Sequence, residues 1–136
     1  MAFVEDIASL FVTAGIGTVG TNIFYSTRAE VPDTEGPFIT LTETAGFQPQ
    51  RIQNNVTRPG FFIPGAQVLV RGTYYVATRD KAVAAHLCLF GVRNRLIGTT
   101  WYREIVTLQQ PFDSGLDEKE RPKIVFNVLG YRSPYS

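Results

Sequence analysis

The stretch Gln67-Val-Leu-Val-Arg-Gly-Thr-Tyr-Tyr-Val-Ala-Thr-Arg-Asp-Lys-Ala-Val-Ala-Ala-His-Leu-Cys-Leu-Phe90 joins a short alternating apolar run to a long helical pattern through Gly72. Val68 and Val70 share one side of the run, and Gln67, Leu69 and Arg71 share the other, as in a strand covered on at least one face. Beyond Gly72 the period changes. Val76, Val83, Leu87 and Phe90 recur at spacings of seven, four and three, with Ala84 and Cys88 widening the stripe. The pattern predicts an amphipathic helix over about residues 74–93, roughly 30 Å long. Its stripe is expected to lie against the sheet, with Arg79, Asp80, Lys81 and Arg93 elsewhere around the axis.

Outward from this unit, 136 residues with 44% hydrophobic content and a net charge of +1 describe a single α+β domain spanning residues 1–136. Near-neutral charge gives no general pull toward nucleic acid or an anionic membrane. Cys88 is the sole cysteine, so an internal disulfide is impossible and a packing role is expected in a reducing compartment. No apolar run approaches the roughly 20 residues of a membrane span, and the reading is of a soluble, unsecreted chain.

Residues 2–14 set Val4, Ile7, Ala8 and Phe11 on one helical face, with Glu5, Asp6 and Ser9 nearer the other, and Gly15 and Gly17 end the pattern. Residues 22–28 and 38–44 read as strands. Residues 46–64 lack clean periodicity and read as a long loop, a length that tends to be functional. Past the long helix, Asn94 and Gly98 act as punctuation. Residues 101–110 form a strand, 113–122 a charged turn and 123–131 the last strand. The expected order is helix, three strands, helix, two strands, with both helices packed on a mainly antiparallel sheet.

Gly15-Ile-Gly-Thr-Val-Gly20 spells a dinucleotide fingerprint, but here it follows a helix and precedes a strand, the reverse of what phosphate binding needs. A glycine-rich turn accounts for it. His86 and Cys88 stand about 200° apart on a helix, which removes a Cys/His pair or zinc clip. The acidic residues of the charged turn are interleaved with Lys119 and Arg121, as in a solvated turn. With no nucleophile, base and orienter set, no catalytic residue, cofactor or metal is expected. The better candidates are Arg51, Arg58, Phe61 and Phe62, residue types enriched in interface cores, and Asp113, Asp117, Glu118 and Arg121 as partners for a neighbour's arginines. Local packing is the plainer role for the first group, and a solvated turn for the second.

The element order and three phrases resemble the tail-terminator and minor capsid proteins of long-tailed bacteriophages: Phe3-Val-Glu-Asp-Ile7, Gln67-Val-Leu-Val-Arg-Gly72 and Asp117-Glu-Lys-Glu-Arg-Pro-Lys-Ile-Val-Phe-Asn127, with Trp101-Tyr102 between the last two. The resemblance spans nearly the whole chain. It implies a non-enzymatic virion subunit at the neck, assembled in the host cytoplasm into a ring, usually of six copies. Such a ring caps the head-proximal end of the tail tube, stops its polymerisation and offers the head connector a docking surface. Its implied partners are its own copies, the tail tube protein and head–tail connector proteins, with DNA only passing through the lumen and no membrane. A head-closure or adaptor ring is the neighbouring expectation, and a small nucleotide-binding domain the contrasting one. The length and glycine and proline content of residues 46–64 depart from the family pattern.

Overall fold

The computed structural model describes residues 3–25, 36–51, 59–117 and 119–132, and of residues 46–51 and 59–61 the backbone alone. The elements in order are α1 (Phe3–Thr13), β1 (Ile23–Phe24), β2 (Phe38–Arg51), β3 (Pro59–Arg71), α2 (Tyr75–Phe90), β4 (Arg93–Ile97), β5 (Thr100–Thr107), β6 (Phe112–Leu116) and β7 (Pro122–Arg132). The strands make one seven-stranded sheet ordered β1-β2-β3-β7-β5-β4, with β6 pairing β7 beyond the end of β5. Only β1 runs parallel to its neighbour. The α+β architecture and the order helix, strands, helix, strands are as the sequence predicts. Two short strands, β4 and β6, stand where punctuation and charged turn were expected.

The core follows from alternation. Ala66, Val68 and Val70 of β3 pair with Val128, Phe126 and Ile124 of β7, and all six are buried against the helices. Ile39 and Leu41 of β2 extend that face. On β5 simple alternation fails. Tyr102 pairs with Arg132 but Glu104 with Tyr131, an extra residue on β5 that lets both Tyr102 and Ile105 point into the core.

Helix α1 ends where Gly15 takes φ +77°. Its amide donates to Val12 O at 3.1 Å, and Ile16 N donates to Phe11 O at 2.9 Å, the paired bonds of a Schellman cap. Lys81 of α2 reaches the same turn, its Nζ donating to Ile16 O at 2.7 Å, and the thiol of Cys88 lies 3.7 Å from Leu10 O. These contacts lock the two helices together on one layer. Val4, Ile7, Ala8 and Phe11 are buried as expected, but so is Asp6, which the sequence places nearer the solvent side. Its Oδ2 accepts a hydrogen bond from the buried Tyr102 hydroxyl, while Oδ1 has no hydrogen-bond partner.

The supposed loop at residues 46–64 is a correction. Apart from residues 52–58, which lie outside the description, it is strand: the distal halves of β2 and β3, paired at Phe47 with Ile63, Gln50 with Phe61 and Arg51 with Pro59. Three register shifts between Thr44 and Arg51 interrupt the two-residue period, and Pro64 falls at the first of them, between Gly65 and Ile63, an irregularity of the kind where a missing N–H is tolerated. The strand read over residues 22–28 is resolved as Ile23–Phe24, with 26–28 outside the description.

Candidate assembly surface

The second correction concerns α2. The residues it buries are Thr78, Ala82, Ala85 and Leu89, not the large apolar stripe. Small side chains on this face let the helix sit close to the sheet. A Cβ at Gly72 would meet Thr78 Oγ1 at 2.4 Å, and that hydroxyl donates to Tyr74 O at 2.7 Å, so no polar group is stranded. Val76, Leu87 and Phe90 are 69, 65 and 67% exposed, and Val83 is partly so. The helix therefore carries two apolar faces, and the one with the larger residues points away from the protein. Gly91 leads from Phe90 directly to Arg93 and Arg95, both exposed on β4. Beside Phe90 a groove of about 190 Å³ opens between Arg93 and Glu104 to Thr107, where β5 outruns β4. Its size suits one large side chain.

On the sheet face away from the helices lies a second apolar area. Val106 pairs with Leu129, Phe112 with Val125 and Val125 with Leu69, while Leu108 N donates to Asn127 O at 2.8 Å. Alternation places these side chains opposite the core residues of the same strands. Leu108 and Phe112 are 51 and 45% exposed, and Asp113 and Gly115 follow on the same exposed strand, β6. Farther along this face Leu96 and Trp101 pair across β4 and β5, also exposed. Sequence reading missed both areas as surfaces. The periodicity of the first was visible, but nothing in it tells an inward from an outward face.

The residues singled out from sequence are dispersed. Arg51 ends β2 and Phe61 lies on β3, with only their backbones described, and Arg58 and Glu118 are outside the description. Phe62 is half-buried on β3, opposite Arg132. Asp113 is exposed, and its Oδ1 accepts the Gly115 amide at 2.8 Å. Asp117 and Arg121 are brought together. Asp117 Oδ1 accepts the amides of Lys119 and Arg121 at 2.9 and 2.8 Å, and Oδ2 takes Arg121 Nε and Nη2, each at 2.7 Å. Arg71 Nε lies 3.9 Å from the same oxygen. Desolvation raises the Asp117 carboxyl, but the backbone amides of Arg121 and Lys119 and the Arg121 guanidinium outweigh it, so the group titrates below its ordinary value. These two residues tie the turn to the end of β3.

Residues 15–20 turn back on themselves. Thr18 N donates to Asn22 Oδ1 at 2.7 Å and Gly20 N to Ile23 O at 2.9 Å. Amides so engaged present no phosphate cradle, and a strand follows them instead of a helix. His86 stacks on Phe90 at 5.9 Å and meets Phe126 edge-on at 5.3 Å. Burial raises the Cys88 thiol above its ordinary value, which keeps it protonated and unreactive. Among the described residues no His, Cys, Asp or Glu cluster could hold a metal ion, and no helix is long and apolar enough to cross a membrane.

Comparison with known proteins gives these surfaces a context. No curated protein matches the chain. A chain from the virion of a native gene transfer agent particle has the same fold, with a TM-score of 0.69 at 12% identity, covering 98% of this chain and 96% of that one. The sequence profile of the bacteriophage tail terminator proteins matches residues 12–128, from the end of α1 into β7. The chain belongs to the bacteriophage tail terminator family and is a structural phage protein.

Proposed function

We propose that this chain assembles into a closed ring, of six copies by the family resemblance, that caps the head-proximal end of the tail tube. There it stops tube polymerisation and provides the surface onto which the head connector docks. Family membership supplies the setting, and the observation that carries the ring is the outward apolar stripe of α2. Three of its four side chains are about two-thirds exposed, and contiguous apolar surface of this kind on a small protein marks a site of association. The sheet carries a different apolar area on its other side. Unlike surfaces that meet by a repeated rotation close a ring when the angle permits.

The role is not catalytic. Asp6 is engaged with Tyr102 and Asp117 with Arg121, and the family is a class of structural proteins. Subunits are made in the host cytoplasm and end in the virion neck, with copies of the same chain, the tail tube protein and connector proteins as partners. Arg51 belongs to β2 and Phe61 and Phe62 to β3, its antiparallel partner, while Arg58 lies outside the description. Past the Phe62–Arg132 pair the two strands have outrun β7, so these four are proposed for contacts with tube or neighbour. Asp113 and Glu118 are proposed for a neighbour's arginines, with Asp117 and Arg121 holding the turn that presents them. Native mass spectrometry and negative-stain images of purified protein test the ring: closed rings of one stoichiometry are expected, and a monomer at tens of micromolar would refute it. A head-closure or adaptor ring is the second reading. It is distinguished by the partner, since a terminator ring binds isolated tail tubes.

A further inference from the structure

No further inference is drawn: the strongest candidate, the outward apolar stripe of α2 from Val76 to Phe90 with the groove beside Phe90, belongs to the assembly surface already described, and nothing in the structure shows what covers it.

Discussion

Tyr102 and Asp6 form a fully buried pair that ties the first helix to β5, and Tyr102→Phe isolates its contribution. The substitution keeps the ring that packs against Phe3, whose centroid is 6.0 Å away, and removes only the hydroxyl that donates to Asp6 Oδ2. Asp6 Oδ1 is already without a hydrogen-bond partner, so the variant strands a buried carboxylate. A hydrogen bond to a charged group contributes about 1.5–3 kcal/mol. Breaking a buried pair by removing one partner costs about 3–5 kcal/mol. We therefore expect a loss of about 2–4 kcal/mol at neutral pH, read by urea denaturation.

The loss should depend on pH. Burial raises the Asp6 carboxyl, and the Tyr102 hydrogen bond only partly counters it. Tyr102 is pushed up first by burial, then by Asp6, with Arg132 working against the rise. A carboxyl whose folded value is raised favours the folded state most when protonated. Its contribution is fully present below the ordinary value of 3.8 and is lost as pH rises through the folded value. Below 3.8 the carboxyl is neutral in both states, so the cost of Tyr102→Phe should shrink to about 1 kcal/mol, that of a neutral hydrogen bond. The double variant Asp6→Leu with Tyr102→Phe, which removes the charge as well, should recover most of the loss. A loss under about 0.5 kcal/mol at neutral pH, or one that does not fall in acid, would refute the reasoning.

Other substitutions follow from the same packing. A Cβ at Gly130 would meet Phe3 Cε1 at 2.7 Å and Cζ at 2.9 Å, so Gly130→Ala should cost about 1–3 kcal/mol by chemical denaturation, and a neutral result would mean α1 sits farther from β7. Lys81→Met removes the 2.7 Å bond to Ile16 O and should lower stability by about 0.5–1.5 kcal/mol without altering secondary structure by circular dichroism. For Asp117, whose carboxyl is held below its ordinary value, the sign is opposite to that of Asp6. Its stabilisation is present above 3.8 and lost as pH falls through the lower folded value, so Asp117→Asn should melt lower than the parent at neutral pH and converge with it in acid.

The fold was legible because its central unit obeys both periods. Val68 and Val70 alternate as a half-covered strand does, and the helix after Gly72 begins where the spacing changes. What failed had local causes. The distal halves of β2 and β3 carry Gly46, Pro49, Pro59 and Pro64, and three register shifts erase the alternation that marks a strand. On β5 the extra residue near Arg103 does the same, turning Tyr102 and Ile105 to one side although they are three apart. The large apolar residues of α2 suggest burial, yet the helix buries its small ones. Thr78, Ala82, Ala85 and Leu89 form a complete stripe of their own, and a helix apolar on two sides gives no internal signal as to which meets the sheet. Asp6 was hidden similarly, since a first-turn acid normally serves the helix dipole and only tertiary structure brings Tyr102 to it. The charged turn was visible as charge, but the use of Asp117 and Arg121 on each other was not.

The claim that this chain ends tail growth by capping the tube is tested most directly by measuring tail lengths, by electron microscopy, in lysates of a phage from which its coding sequence has been deleted. The account predicts headless tails whose tubes run past the normal length, with the length restored when the protein is supplied in trans. Tails of normal, uniform length joined to heads would contradict it.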